Sequence, residues 1–302
     1  MKIVAGIGSL SDYDDYVRAG VDELFCGCMP LEWLEKYGVL SPLNRREVLL
    51  YPVQIASAAD MRVLARLARA DGIPVAVTFN ATHYLPEQYP MILRFISELC
   101  GMGFERFIVA DPALMLKMPR ECRIHVSGEW GEFSRASMEM LRPLEPARLI
   151  FHRKVTPEEM RACIAALPGL EYEAFALNER CYYTGALCNS LHCDELPHLC
   201  IVPRRLGGVE DPVCAPEAPE TPDVPDGPGS GGCALCSLDA LENAGITHLK
   251  LVGRGNRPEK MVRDIRFLKK ALSLPPEQRK SVLFPGGCGG ACYYDTASVS
   301  HF

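Results

Sequence analysis

Residues 171–188 read EYEAFALNERCYYTGALC. The first seven, Glu171–Leu177, form a run of the buried-strand type, and the run ends where polar residues and cysteines begin. Seven further runs of the same kind lie near Lys2–Ile7, Glu23–Gly27, Pro74–Phe79, Arg106–Ala110, Arg123–Val126, Arg148–His152 and His248–Val252. Helical patterns separate them. Ser57–Arg69 brings Met61, Val63, Leu64, Leu67 and Ala68 near one face, and Met91–Leu99, Ser134–Leu144, Pro157–Leu167, Leu238–Ala244 and Pro258–Leu272 read similarly. Eight strands alternating with helices imply a parallel sheet, and eight is the number that closes a barrel. The expected fold is therefore α/β, a (β/α)8 TIM-like barrel. An open doubly wound sheet is the alternative, but Gly6-Ile7-Gly8 lacks the third glycine of a dinucleotide loop.

The chain has 302 residues, 48% of them hydrophobic, which suffices for a one-domain barrel. A net charge of −6 is not that of a globally basic nucleic-acid binder, although it leaves room for a local basic patch. The opening residues are too quickly polar for a signal peptide, and no apolar run approaches the roughly 20 residues that span a bilayer. The expectation is a soluble, cytoplasmic protein that does not engage a membrane.

One segment breaks the strand–helix rhythm. Residues 203–232 hold seven prolines and six glycines, with acidic residues between them. Such a stretch is expected to be a long flexible loop. The organisation that follows is a barrel over residues 1–275, interrupted between the seventh and eighth strands by a cysteine-flanked insertion (181–236), and a cysteine-containing tail over residues 276–302.

Barrel active sites are built from the loops that follow the strands. Here the strands run into Cys26-Gly27-Cys28, Asn80 with His83 and Tyr84, Asp111, Ser127-Gly128-Glu129, His152-Arg153, Asn178 through Cys181, and Gly253-Arg254. Polar residues at every exit are what a working site leaves. For any one of them, the plainer account is that strand ends are where polar residues begin.

Fourteen cysteines are a sharper signal. A cytoplasmic protein keeps its thiols reduced, so a disulfide framework is not expected. Cys100, Cys122 and Cys163 read as small buried hydrophobes. Cys181, Cys188, Cys193, Cys200, Cys214, Cys233 and Cys236 cluster within 56 residues. Four of them, Cys181, Cys188, Cys200 and Cys233, can supply the soft thiolates that suit an iron–sulfur cluster or zinc. Cys193, Cys236, Cys288 and Cys292 are possible extra ligands. A second set, Cys26 and Cys28 with Cys288 and Cys292, would need the tail to meet the second strand; ordinary thiols are the alternative.

The stretch quoted at the outset resembles the signature of the collagenase-like peptidase family (peptidase family U-thirty-two). That signature is Glu-x-Phe, a cysteine eight residues after the Glu, and another seven further on; Glu173, Phe175, Cys181 and Cys188 match it. Residues 233–254, CALCSLDALENAGITHLKLVGR, resemble a later family segment through Cys233, Ala244-Gly245, Leu249-Lys250 and Gly253-Arg254. Cys200, in HLCIVPRR, resembles the third family cysteine. Departures are Leu177-Asn178-Glu179 in place of His-Gly-Ala, a glycine displaced to Gly185, and Val252 in place of Glu. The resemblance implies a β/α barrel whose cysteines 181, 188, 200 and 233 bind a [4Fe–4S] cluster. It also implies oxygen-independent hydroxylation or a related redox modification of a small molecule, such as a quinone precursor, or of an RNA nucleotide. The family name implies a peptidase instead, yet the sequence has no HExxH and no recognisable nucleophile–base pair. A non-catalytic protein with an iron–sulfur or zinc clasp on its loop is the third reading.

Four more residues join the expected site. Glu173, inside a strand, needs a cationic partner, for which Arg153 and Lys250 are the candidates. Arg153 and Arg254 are fitted to an anionic substrate group, with surface ion pairs as the alternative. His125 reads as a core histidine with satisfied nitrogens. Arg263, Arg266, Lys269 and Lys270 read as a solvated helix face, and would touch RNA only if joined on one surface by Arg254, Arg257 and Lys260. A protein partner or electron donor is compatible with all of this.

Overall fold

The computed structural model describes residues 1–39, 41–44, 53–55, 57–131, 134–178, 181, 188, 232–285 and 292–294. Eight strands close into one barrel in sequence order, every pair parallel. They are β1 (Lys2–Gly6), β2 (Glu23–Gly27), β3 (Val75–Phe79), β4 (Arg106–Val109), β5 (Arg123–Val126), β6 (Arg148–Ile150), β7 (Glu171–Leu177) and β8 (His248–Leu251). All eight fall where the sequence puts them. Strands buried on both faces are near-continuous apolar runs, so little competes with that reading.

The helices are α1 (Tyr13–Ala19), α2 (Leu31–Tyr37), α3 (Ala58–Asp71), α4 (Tyr89–Met102), α5 (Pro112–Met115), α6 (Arg135–Leu141), α7 (Pro157–Ala166), α8 (Leu238–Ala244), α9 (Pro258–Ser273) and α10 (Pro276–Leu283). The short α1, α2 and α5, and the tail helix α10, have too few turns to leave a clear periodic pattern. The segment expected to be helical to Leu144 gives up its last turn to a 3-10 turn over Arg142–Leu144, where Pro143 removes a backbone donor. Helix ends follow local chemistry. Thr156 and Glu159 cap α7 reciprocally, and Ser57 accepts from the Asp60 amide to open α3. The α10 helix is bound to the barrel's outer layer, because its buried Arg279 donates to the Ala271 and Leu274 carbonyls and pairs with Asp239. Among the described residues, no helix is long and apolar enough to cross a membrane.

Period-two alternation splits the apolar residues into two cores. The larger lies between sheet and helices and includes Ile3, Leu24, Cys26, Val77, Phe107, Ala174, Leu249 and Leu251. The smaller, Val4, Phe25, Ala76, Ile108, Ile150, Phe175 and Val252, fills the upper barrel interior. Beneath it the strands begin with charge: Glu23, Arg106, Arg148, Glu171 and His248 are first residues of β2, β4, β6, β7 and β8. Residues 203–231, the stretch expected to be a flexible loop, lie outside the described residues, apart from their neighbour Gly232.

Candidate functional site

The barrel's interior carries two polar systems with an apolar layer between them. The lower one is centred on Arg148, which is 1% exposed. Its Nε donates to Glu171 at 3.0 Å, Nη1 to Glu173 at 2.9 Å, and Nη2 to Glu23 at 2.8 Å and Glu171 at 2.7 Å; Nη2 also lies 2.9 Å from His248 Nε2. Lys250 completes the system by donating to Glu173 at 2.8 Å, with its ammonium 3.7 Å from the Phe25 ring centroid. Burial alone would raise the Glu173 pKa, but Lys250 and Arg148 outweigh it and hold the carboxyl at about 2. Burial would likewise raise Glu23, and its bond to His248 together with Arg148 pulls it below the usual range. Lys250 is pulled down by burial, against the opposing pull of Glu173.

This network revises two expectations. The partners of Glu173 are Arg148 and Lys250, and Arg153 is not among them, because Arg153 follows the opposite end of β6. His125 is a fully buried core histidine, yet neither of its ring nitrogens has a hydrogen-bond partner among the described residues. Burial, then the charge of Arg148, pushes its pKa well below 6.5, so the ring is neutral. Arg148 was missed because arginine opening a strand looks like a surface residue, and its partners come from three distant strands.

The upper system surrounds the barrel mouth, at the C-terminal ends of the strands. Arg254 lies across Gly6 and Gly27: a Cβ at Gly6 would stand 2.9 Å from Arg254 Cγ, and one at Gly27 would collide with its guanidinium. Arg254 Nη1 donates to Thr78 Oγ1 at 3.4 Å. The Thr78 hydroxyl in turn reaches the Cys26 carbonyl at 3.0 Å and the Asn44 carboxamide, whose Nδ2 donates to Gln54 at 2.6 Å. Asn44, Gln54 and Thr78 were not singled out from the sequence; Thr78 alone had a signal, as a polar residue at an inward position of β3. Across the mouth, Arg153 lays its guanidinium 3.8 Å from the Phe175 ring centroid and 6.0 Å from that of Tyr293.

Other strand-end residues hold parts of the fold together. Asp111 caps α5 through the Ala113 amide and accepts from the Tyr89 hydroxyl at 2.6 Å; Ser127 accepts from the Glu129 amide. Tyr84 donates to the Leu43 carbonyl.

Beyond β7 the chain turns at Asn178, whose φ of 67° is left-handed. Cys181 follows, half-buried, and Cys188 is buried. Cys233 returns from the insertion to make an antiparallel bridge with Leu177, secured by Asn178 N to Gly232 O at 3.0 Å and Ala234 N to Ala176 O at 2.8 Å. The tail then adds a third strand to this ribbon. Cys292 bridges Cys233 in parallel, and Tyr293 N donates to Cys233 O at 2.9 Å. Tyr294 donates to the Phe175 carbonyl at 3.0 Å, and the Tyr293 hydroxyl to the Asn178 carbonyl.

The remaining cysteines divide. Cys26 and Cys28 belong to the core facing the helices, where burial raises both thiols, Cys28 to about 12. Cys292 bridges Cys233, and Cys288, the other tail member of the second expected set, lies outside the described residues. Cys100 and Cys122 have sulfurs 3.8 Å apart, and Cys163 is buried. Cys236 is exposed; Cys193, Cys200, Cys214 and Cys288 lie outside the described residues. Among the described residues, no three Cys, His, Asp or Glu side chains form a group that could hold a metal ion. Arg263, Arg266 and Lys270 line a groove of about 630 Å³ shared with Asp15 and Glu259, a surface of mixed charge that includes neither Arg254 nor Lys260.

The family profile described as Peptidase family U32 matches residues 8–193, more than half of the chain. The chain belongs to peptidase family U32. Among solved structures it is similar to a U32 peptidase, at 15% identity and a TM-score of 0.44, over 58% of this chain and 69% of the other. It is also similar to phosphoribosyl anthranilate isomerase from Thermus thermophilus (12% identity, TM-score 0.47, 89% and 99% covered). A third similar structure is 2,3-dimethylmalate lyase (11%, 0.43, 99% and 92%). No curated protein matches. The U32 match takes in Arg153, Glu173, Cys181 and Cys188, while Cys200, Cys233 and Arg254 follow it in the chain. For a cluster the donor chemistry of this U32 member is suitable: thiolates are soft ligands, and Cys233 Sγ accepts from the Leu235 amide at 3.4 Å.

Proposed function

We propose that this U32 member is an iron–sulfur enzyme of the reducing cytoplasm, carrying out oxygen-independent hydroxylation or a related redox modification of a small molecule or an RNA nucleotide. Cys181, Cys188, Cys200 and Cys233 would hold a [4Fe–4S] cluster. The observation that carries the reading is the bridge between Leu177 and Cys233, which returns a distant cysteine to the strand end that leads into Cys181. Once bound, the cluster would supply one-electron chemistry from a separate donor. Arg153 and Arg254, on opposite sides of the mouth, would bind an anionic part of the substrate; stacking on Phe175 fixes the plane of one guanidinium, and the Thr78 contact anchors the other. Phe25, Phe175 and Val252 give the pocket an apolar floor. Glu173 and Lys250, beneath that floor, act as positioning residues that hold β7 and β8 in register.

Anaerobic purification followed by iron and sulfide analysis tests the proposal. The expected result is a brown protein with charge-transfer absorbance and about four irons per chain. Cys181→Ala is expected to abolish that absorbance while the far-ultraviolet circular dichroism is kept. Iron-free protein that cleaves peptides would instead establish the hydrolase reading. Zinc whose removal unfolds residues 181–236 without loss of any activity would establish a structural clasp.

A further inference from the structure

The tail has no role in the proposal above, yet it lies against one of the four cysteines. Residues paired in adjacent strands have Cα atoms about 5 Å apart and side chains on the same face. The parallel bridge between Cys233 and Cys292 therefore puts two thiols side by side on one face of the ribbon at the end of β7. Several contacts set this register. Tyr293 N donates to Cys233 O at 2.9 Å, the Tyr293 hydroxyl reaches the Asn178 carbonyl, and the Tyr294 hydroxyl donates to Phe175 O at 3.0 Å. The Tyr293 ring also covers Gly232, whose φ of 130° and missing Cβ make room for it. A slip of one residue would turn Cys292 to the other face and break each of these contacts.

We propose that Cys292 is a fifth thiol of the metal site, so that the C-terminal tail is part of the site. This rests on the iron–sulfur reading and adds a ligand from a segment outside its four cysteines. With four irons and four other thiols, Cys292 would bind by exchanging with Cys200 at one iron. That role requires it to be near the metal and shielded when the metal is bound.

The test uses the full chain, purified anaerobically, with Cys292→Ser, Cys200→Ser, the double variant and Cys100→Ser as a control at a thiol on α4. Iron and sulfide per chain, the electron paramagnetic resonance of the reduced protein and the bleaching rate in air are compared. Cys292→Ser is expected to change the resonance or bleach several-fold faster, and the double variant to hold much less iron than Cys200→Ser. Independently of any variant, iodoacetamide labelling read by mass spectrometry is expected to spare Cys292 in the loaded protein and modify it after chelation, with the labelling of Cys100 the same in both. Wild-type metal content, resonance and bleaching in Cys292→Ser, with labelling indifferent to metal, would overturn the assignment. A chain that holds zinc fails the iron–sulfur reading, and zinc content across the same variants then judges Cys292 separately. A wild-type chain without metal overturns both.

Discussion

Arg148 bonds with all three guanidinium nitrogens inside a barrel where it is almost entirely shielded from water. Replacing it by Met keeps the volume, leaves the buried Glu23 short of a cation and leaves Glu173 to Lys250. Removing one member of such a network costs about 3–5 kcal/mol, so Arg148→Met is expected to lower the urea midpoint severely. Adding Glu23→Gln should recover part of the loss, because Glu173 keeps Lys250 whereas Glu23 is the carboxylate left short of a cation. A loss below about 1 kcal/mol in the single variant would contradict the network. His125 makes the opposite forecast. Both of its nitrogens are buried without partners among the described residues, and each such group costs about 1–3 kcal/mol. His125→Leu is close in size and removes that cost, so it is expected to raise the urea midpoint.

At the scale of elements, β7 is the strand on which the site depends. Its lower end supplies Glu171 and Glu173 to the ion network, its upper end supplies Phe175 to Arg153, and its exit at Asn178 sends the chain to Cys181. Asn tolerates left-handed backbone better than most residues, and here it also donates to the buried Asp264 of α9 at 2.9 Å. Asn178→Gly and Asn178→Val both lose that bond, but only valine is strained by the backbone. Thermal or urea unfolding should show the valine variant less stable than the glycine variant by about 1–3 kcal/mol. Equal stabilities would mean that the turn relaxes. Much of β7 was legible beforehand, since an apolar run marks the strand and the Cys181–Cys188 spacing marks its exit. What was not legible is long-range pairing. Arg148 and Glu23 are 125 residues apart, and no local pattern links them. The Cys233–Cys292 register likewise arises where two loops meet, at positions with no periodicity to betray it.

For the whole molecule, these strand-start charges imply a particular response to acid. The network joins β2, β6, β7 and β8 around the lower barrel, so weakening it loosens closure, not one local contact. Stability rises with pH wherever the unfolded chain binds more protons than the folded one. Glu173 sits at about 2 in the fold against a usual 4.5, so its contribution is complete above pH 4.5 and is lost as pH falls toward 2. Glu23 is depressed in the same direction. His125, held well below 6.5, adds an earlier window: below pH 6.5 the unfolded imidazole takes up a proton that the buried one refuses. Urea midpoints measured from pH 7.5 downward should therefore decline in two stages, first below about pH 6.5 and then more steeply below about 4.5. His125→Leu is expected to lose the first decline and keep the second; Glu173→Gln should soften the second and keep the first. A single decline shared unchanged by both variants would mean that neither group is shifted as the barrel interior requires.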